Sequence, residues 1–494
     1  MRTLLLGVDI GTSSCKTALF NPDGKVAAQG ESEYPVRYPR KGWAEQDPSD
    51  WWEGVCRAVR EMTAESGIDP AEIAGIGVDG QSWSAVALDA AGESLCPTPI
   101  WTDTRSAEIC RKTAGRLGEE KLFALCGNPA QPGYTWPKIL WYRENLPEVF
   151  AGARKILQSN SYIVYRMTGE MTQDLSQGYG LACFDMRQGC WDGGMCEALG
   201  IPQSLLPEIV PCHRVVGKLT GEAAKQTGLK EGIPVVAGGL DAACGTLGAG
   251  VVSPGQTQEQ GGQAGGMSIC IDQYAADPRL ILGYHVVPGR WLLQGGTTGG
   301  GGALKWLRET MCPELSFAEM SELAEQAPAG SGGVTFLPYM AGERSPVWNP
   351  KASGVFFGLN FRVTRGQMIR ACMEGVAYAL RHNLETAKAA GARADSLRAM
   401  GGSANSRIWT QIKADVTGCG IEVPASDTAT TLGAAILAGV GTGVYGSFEE
   451  AAERTVSVKK TYAPDPEKQA VYDRGYEVYR KLYPALEEIM NGQE

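Results

Sequence analysis

Histidine is scarce in this chain, and Cys-x-x-Cys pairs are absent from its sequence. The 494 residues include only three histidines, and none of the 14 cysteines belongs to a Cys-x-x-Cys pair. A structural zinc site needs four such ligands, usually in closely spaced pairs. The sequence therefore argues against a zinc protein, and its scattered thiols predict a reducing, cytoplasmic setting.

Long apolar runs are also lacking. The longest candidate, residues 432–444, is broken by glycines and falls short of the roughly 18 residues that a membrane helix needs. The apolar start of the chain meets Asp9 too early for a secretory signal. We therefore expect a cytoplasmic protein without membrane partners.

Positive charge is in deficit. Lysine and arginine number 45 against 55 aspartates and glutamates, a net charge of −10. Nucleic-acid binders usually carry the opposite balance, so no nucleic-acid partner is expected. Glycine, by contrast, is abundant: 65 residues, against a usual share of about 7%. The excess predicts many tight turns and close backbone approaches.

Strand-like and helix-like stretches alternate, which predicts an α/β fold. Residues 3–9, 16–20 and 73–78 have the composition of strands, whereas 48–66 and 465–490 have helical spacing, the last bent or ended near proline 484. A glycine-rich polar stretch at 245–260 predicts a boundary between domains 1–250 and 251–494.

Four strand ends are each followed by a glycine-rich polar turn. The turns are GVDIGTSS (7–14), GVDGQSW (77–83), VAGGLDAA (236–243) and AMGGSANS (399–406). Ligands of open α/β sheets bind outside the carboxyl ends of strands. We therefore expect these turns to contribute to one ligand site, although such turns often contain glycine for structural reasons.

The first turn joins a carboxylate to hydroxyls. Asp9 can hold a hydrated Mg²⁺, while Gly11, Thr12 and Ser13 offer N–H and O–H donors to a phosphate. In the third turn, Asp241 stands among small residues and could accept the proton of an attacking hydroxyl. A plain hairpin and a helix N-cap are the structural alternatives.

Two later glycine clusters precede helices. The segment 295–302 contains six glycines and suits either contact with phosphate or sugar, or a hinge. Gly401 and Gly402 could pass over a flat ring while Asn405 offers a donor and an acceptor. The alternative there is a helix start capped by Ser403.

Longer segments carry a family resemblance. They are GWAEQDPSDWW (42–52), PIWTDTRS (99–106), GNPAQPGYTWPKILWYREN (127–145) and GVFFGLNFRVTRGQMIRACMEGVAY (354–378). Nearly the whole chain resembles the FGGY carbohydrate kinase family of the actin-like ATPase superfamily, its xylulokinases in particular. The resemblance implies two actin-like, ribonuclease H-like α/β domains with an interdomain catalytic cleft.

The same resemblance implies ATP- and Mg²⁺-dependent phosphorylation of a terminal hydroxyl of a small ketose, polyol or related sugar derivative. The N-terminal domain would bind the sugar and the C-terminal domain mainly the nucleotide. The oligomeric state is left open, with a homodimer as one expectation, since dimers are the commonest soluble assemblies. The implied residues are Asp241 as base and acceptor contact; Asp9 for the metal; Gln81, Ser82, Trp83 and Asp103 for the acceptor; and Gly11, Thr12, Ser13, Gly262, Gln263, Gly301, Gly302, Gly401, Gly402 and Asn405 for the nucleotide.

The chain departs from the family at two places. Gln81-Ser82-Trp83 stands where xylulokinases have Gln-Met-His, which predicts an acceptor other than D-xylulose. In the second phosphate loop, 261–266, Gln263 replaces the usual hydroxyl, so the phosphate donor could differ. Another acceptor, such as glycerol, gluconate or a modified sugar, and a catalytically silent pseudokinase remain the alternatives.

Overall fold

The computed structural model describes residues 3–426 and 428–492, which form two compact units. The first unit contains residues 3–252, 283–291 and 428–456, and the second contains 253–282, 292–426 and 457–492. The chain thus returns to the first unit twice after residue 252. The assignment of separate functions to 1–250 and 251–494 stays a prediction.

The strands are numbered in chain order. They are β1 Leu4–Ile10, β2 Ser14–Phe20, β3 Val26–Glu33, β4 Glu45–Gln46, β5 Ile73–Gly80, β6 Val86–Leu88, β7 Thr98–Pro99, β8 Lys155–Leu157, β9 Thr172–Asp174, β10 Phe184–Asp185, β11 Cys190–Trp191, β12 Glu208–Val210, β13 Val215–Lys218, β14 Pro234–Val236, β15 Gly239–Leu240, β16 Gln256–Gly261, β17 Gly265–Ile271, β18 Ile281–Tyr284, β19 Trp291–Thr297, β20 Thr335–Leu337, β21 Val355–Phe357, β22 Ser396–Met400, β23 Gly420–Pro424 and β24 Val458–Tyr462.

The helices are numbered in the same way. They are α1 Pro48–Ser66, α2 Ala107–Leu117, α3 Glu119–Cys126, α4 Thr135–Asn145, α5 Pro147–Gly152, α6 Ser159–Thr168, α7 Gly193–Leu199, α8 Gly221–Thr227, α9 Asp241–Gly248, α10 Gly301–Met311, α11 Phe317–Gln326, α12 Arg365–Ala389, α13 Arg407–Thr417, α14 Ala429–Gly441, α15 Phe448–Thr455 and α16 Pro466–Asn491.

Each unit is built on a seven-stranded mixed sheet. In the first unit the order is β13-β14-β5-β1-β2-β3, with β15 paired to β5. In the second the order is β18-β19-β17-β16-β22-β23-β24. Because β1 and β15 both run parallel to β5, the carboxyl ends of these three strands meet at one edge of the first sheet.

Local sequence patterns account for the helices that the sequence predicts. Asp47 caps α1 by accepting from Ser49 N at 3.0 Å, Pro48 takes the first helical position, and Trp51 packs into the core of the first unit. The C-terminal helix α16 is present too, but it continues through Pro484 to Asn491 rather than ending there.

Part of the glycine excess serves packing in the first unit. Helix α14 lies against β1 and β5, and a Cβ on Gly7 or Gly77 would collide with the carbonyl oxygen of Thr431 or Ala434, respectively. Only glycine lets this helix approach the strands so closely. In the described ranges, no helix combines the length and apolar character needed to cross a bilayer.

Candidate active site

Three carboxylates converge at the shared strand edge of the first unit. Asp9 on β1 lies opposite Asp79 on β5, and Gly239 on β15 lies opposite Asp79 from the other side. Asp241 follows directly as the first residue of α9. The structure therefore brings together the two aspartates singled out from the sequence and adds a third, Asp79, which the sequence interpretation missed.

Asp79 is fully buried, with 0% of its surface exposed, and its carboxylate oxygens accept no hydrogen bond from the N–H and O–H groups of the described residues. Burial, followed by the adjacent negative charge of Asp9, raises the pKa of Asp79 well above its usual value. The pKa of Asp9 is raised as well, chiefly by burial. A protonated Asp79 can donate its hydrogen bond to Asp9, which then retains the negative charge.

The replacement Asp79→Asn tests this arrangement. An amide keeps the donor toward Asp9 but cannot ionise, so we expect the metal-free, nucleotide-free protein to gain about 1–3 kcal/mol in unfolding free energy. Because the pKa of Asp79 is raised in the folded state, protonation of Asp79 stabilises the wild type at low pH. This stabilisation is lost as pH rises from the unfolded-state pKa of about 4 toward the raised folded-state pKa, whereas the asparagine variant does not lose it. Thermal unfolding should show a larger gain at about pH 8 than at about pH 4; a loss of stability at both would contradict the arrangement.

Asp241 has the environment of a general base. Burial first, and the charge of Asp9 second, raise its pKa to about 7. Leu240, not Asp241, occupies the N-cap position of α9, and the Asp241 carboxylate accepts a bond from the adjacent Ala242 N at 2.6 Å. The N-cap alternative is therefore not what the structure shows, and a carboxylate that ionises near neutral pH can accept a hydroxyl proton.

The turn between β1 and β2 is anchored through its carbonyl groups. Tyr34 donates from Oη to Gly11 O at 2.7 Å and from its backbone N to Ser13 O at 3.1 Å, while Gln46 Nε2 donates to Thr12 O at 2.9 Å. Within the described residues, the N–H groups of Thr12 and Ser13 have no acceptor. The turn therefore presents backbone donors, as an anion-binding loop requires.

Gln46 connects this loop to the expected acceptor residues. Its Oε1 accepts from Gln81 Nε2 at 2.8 Å and from Trp51 Nε1 at 3.1 Å. The buried Oε1 of Gln81 has no donor among the described residues and can accept a bond from an acceptor hydroxyl. Ser82 follows, half-buried. Gln46 is a positioning residue that the sequence interpretation missed, although it stands in one of the segments that resemble the family.

Trp83 is held in an unusual conformation within an aromatic cluster. Its φ of 57° lies in the left-handed region, which costs a bulky residue roughly 1–3 kcal/mol. Gln158 Oε1 accepts from its backbone N at 3.0 Å, and the buried Lys138 Nζ donates to its carbonyl at 2.7 Å. Tyr134 and Tyr179 pack edge-on to the indole at centroid distances of 4.7 and 5.6 Å. These contacts fix an apolar wall where the sequence predicts acceptor binding.

Asp103, which the sequence predicts to contact the acceptor, is already engaged in hydrogen bonds and an ion pair within the protein. It is fully buried, and its carboxylate accepts from Ala44 N at 2.6 Å and from the Arg105 guanidinium at 2.8–3.0 Å. Arg105 also pairs with Glu45 at 2.6 Å. These bonds hold segments 42–46 and 99–106 together, while direct contact between Asp103 and an acceptor stays a prediction.

The second unit contains a cavity of about 530 Å³. Leu304, Phe317 and Trp409 give it apolar walls, and Gln263 and Asn405 add amide groups, a combination that suits a flat heteroaromatic ring. The remaining lining residues are Gly261, Gly262, Gly301, Lys305, Ala318, Ser321, Gly402, Ser403 and Ser406. Five of the seven nucleotide residues that the sequence places in this unit thus share one cavity.

Gly302 and Gly401 lie behind this lining. The N–H groups that open α10 are already bonded: Gly301 N to Gly262 O at 2.7 Å, Gly302 N to Gln263 O at 2.9 Å, and Ala303 N to Gly300 O at 3.1 Å. The start of α10 therefore supports the second loop instead of offering its first N–H groups to an anion. Gly401 packs against the same loop, since a Cβ there would lie 2.9 Å from Gly261 O.

The carboxylates of the first unit fit a hydrated divalent cation. Mg²⁺ in kinases is held by one or two carboxylates together with waters and phosphate oxygens. Asp9 is half-buried, and both carboxylate oxygens of its neighbour Asp79 are buried and accept no hydrogen bond from an N–H or O–H group of the described residues. Across residues 3–426 and 428–492, no group of three or more ligating side chains forms a closed metal cage. The donor set thus suits a cation that arrives with the nucleotide.

Comparison with known proteins agrees with these observations. The model of the N-terminal domain of the FGGY family of carbohydrate kinases matches residues 4–248, and that of the C-terminal domain matches residues 273–442. The xylulose kinase of Escherichia coli (strain K12) is 31% identical over 490 residues, 99% of this chain and 100% of the relative.

Solved structures of sugar kinases share the fold. The xylulose kinase of Rhodospirillum rubrum superimposes with a TM-score of 0.93 at 32% identity, covering 99% of this chain and 100% of the other. The gluconate kinase of Lactobacillus acidophilus gives 0.92 at 26% identity, covering 98% of both chains. The two-domain α/β prediction is confirmed. The chain therefore belongs to the FGGY family of carbohydrate kinases, enzymes that transfer a phosphoryl group from ATP to a sugar with the help of a divalent metal.

Proposed function

We propose that this enzyme phosphorylates a terminal hydroxyl of a neutral ketose, polyol or related sugar derivative in the cytoplasm, with Mg²⁺ as the metal. The observation that carries the proposal is Asp241, a half-buried carboxylate directly after β15 whose pKa is raised to about 7. Phosphoryl transfer needs an oriented hydroxyl and a group that accepts its proton, more than it needs covalent catalysis.

The residues of the first unit divide the chemistry between them. Asp241 takes the proton of the acceptor hydroxyl, the oxygen attacks the terminal phosphorus of ATP, and the bond from that phosphorus to the bridging oxygen breaks to release ADP. The N–H groups of Thr12 and Ser13 bind phosphate oxygens, because their loop is anchored through its carbonyls instead. When ATP is bound, Asp9 holds a hydrated Mg²⁺ that neutralises phosphate charge.

The second unit binds the nucleotide. The cavity between Leu304, Phe317 and Trp409 takes the adenine ring, and Asn405 at its edge offers both a donor and an acceptor to the base or ribose. Gln263 stands in the loop position where relatives have a hydroxyl, and its amide donates to phosphate from the same place.

The acceptor is expected to be neutral. Gln81 Oε1 accepts from one hydroxyl, and the indole of Trp83 offers its face to the C–H side of a sugar. Lys138 and Arg105, two basic side chains on the acceptor side, already donate to protein oxygens, and burial lowers the pKa of Lys138 to about 7, which disfavours a sugar acid such as gluconate. The change from Gln-Met-His to Gln-Ser-Trp favours a ketose or polyol other than D-xylulose.

A screen of acceptors tests the proposal. ADP release is measured with neutral ketoses, polyols and sugar acids as acceptors and with ATP as donor, and GTP and pyrophosphate are compared on the best acceptor. We expect the highest kcat/KM with ATP and a neutral ketose or polyol. Nucleotide binding without acceptor-dependent ADP release would instead indicate a silent pseudokinase, and a preference for gluconate would contradict the proposed acceptor class.

A further inference from the structure

Arg344 lies on the glycine segment 295–302 of the second unit, and its neighbours hold it there. Glu343 accepts from Thr297 Oγ1 at 2.6 Å and from Thr298 N at 2.9 Å, and Ser345 Oγ accepts from Gly296 N at 2.6 Å. The residues on both sides of Arg344 are thus bonded to the end of β19 and the turn after it. Its backbone is fixed relative to that segment.

The guanidinium of Arg344 forms one long hydrogen bond and no ion pair with the described residues. Its contact with Thr297 O, through Nη2 at 3.4 Å, is long for a hydrogen bond, and no salt bridge of the described residues includes it. The carboxylate of the neighbouring Glu343 forms no ion pair with the guanidinium, because it accepts hydrogen bonds from a threonine hydroxyl and two backbone N–H groups instead. Surrounding protein lowers the pKa of Arg344, chiefly through desolvation, although the side chain is exposed.

The second phosphate loop packs on the segment that Arg344 covers. A Cβ on Gly265 would lie 2.7 Å from Thr297 Cγ2, and one on Gly266 would lie 3.2 Å from Gly295 O. In the same segment, a Cβ on Gly296 would lie 2.9 Å from the guanidinium carbon of Arg344. The second phosphate loop and the guanidinium of Arg344 therefore contact the same short segment, residues 295–297.

Two potential phosphate donors at the second phosphate loop are occupied or replaced. The first N–H groups of α10 are bonded to Gly262 O and Gln263 O, and the loop has an amide at residue 263 instead of a hydroxyl. A guanidinium supplies a planar fork of donors that matches two phosphate oxygens, together with a full positive charge. A guanidinium near the loop would therefore replace the N–H donors of α10 that are already bonded and the hydroxyl that is missing at residue 263.

We propose that Arg344 binds the phosphates of the nucleotide in the second unit. This inference rests on the proposed function, since it assumes that the cavity beside the loop takes the adenosine part. According to this inference, Arg344 binds the charged phosphates of the nucleotide and does not contact its base. The residue therefore determines affinity for ATP and ADP while leaving affinity for adenosine unchanged.

Calorimetric titration of the full chain with ATP, ADP and adenosine tests the inference. For Arg344→Gln we expect the Kd for ATP and ADP to rise roughly 10- to 100-fold, and the Kd for adenosine to stay within about twofold. Arg344→Lys keeps the charge without the fork and should recover part of the loss. Arg365→Gln, an exposed arginine paired with Glu314, is the control that should change none of the three.

Unchanged binding of ATP to Arg344→Gln would overturn the inference. Equal losses for ATP and adenosine, in the glutamine and lysine variants alike, would also overturn it, because they would show a role in shaping the cavity. Failure of the wild type to bind any of the three compounds would instead reject the nucleotide site of the proposed function, so the two failures are distinguishable.

Discussion

Replacing Asp241 with asparagine should lower kcat by roughly 10³-fold, while the Kd for ATP stays close to that of the wild type. Asparagine keeps the size of the side chain and its bond from Ala242 N, but it cannot accept the proton of the acceptor hydroxyl. Steady-state ADP release and calorimetry measure the two quantities. The exposed Glu108→Gln, in the same unit, is a matched control that should leave both unchanged.

The pH dependence gives a second readout for Asp241. Since its pKa is raised to about 7, the carboxylate is protonated below that pH and cannot act as a base. The kcat/KM of the wild type should therefore rise as pH increases through about 7, and the residual activity of Asp241→Asn should lack this limb. A kcat within about twofold of the wild type would remove Asp241 from the role of base.

Replacing Asp9 with asparagine should have the second largest effect. We expect kcat to fall by roughly 10²-fold or more, because the charge on the transferring phosphoryl group is no longer balanced through a carboxylate-held cation. The Mg²⁺ concentration for half-maximal activity should rise as well. A titration of ADP release with Mg²⁺ at saturating ATP measures both effects.

Stability separates this role of Asp9 from a role in folding. Asp9 and Asp79 are adjacent; burial raises the pKa of Asp9, and burial together with the negative charge of Asp9 raises the pKa of Asp79, so an ionised Asp9 costs the folded state stability. Asp9→Asn should therefore unfold at a temperature equal to or above that of the wild type, although its activity is lost. A large decrease in both stability and activity would contradict a metal-binding role, and unchanged Mg²⁺ dependence would do so too.

The sequence identified Asp9 and Asp241 because each stands at the end of a strand or directly after one, beside a polar glycine turn, which is a local pattern. Asp79 lies at the end of the same kind of strand, but its importance depends on the parallel register that places it opposite Asp9, 70 positions earlier in the chain. Gln46 escaped notice for a similar reason, since its partners Thr12 and Gln81 are distant in sequence.

The return of α14 to the first unit was equally inaccessible to local patterns. Its apolar composition predicts a buried helix but does not say against which sheet it packs. The collision that any side chain on Gly7 or Gly77 would cause with this helix shows that some glycines serve packing and others the site. Composition alone cannot separate the two uses.

We propose that the enzyme transfers phosphate from ATP to a terminal hydroxyl of a sugar. Phosphorus NMR of the product formed with the best acceptor tests it most directly, with Asp241→Asn measured alongside. We predict a phosphomonoester resonance split into a triplet by the two protons of a CH₂ group, absent with the variant. Release of inorganic phosphate without a sugar phosphate, or a doublet from a secondary position, would contradict the claim.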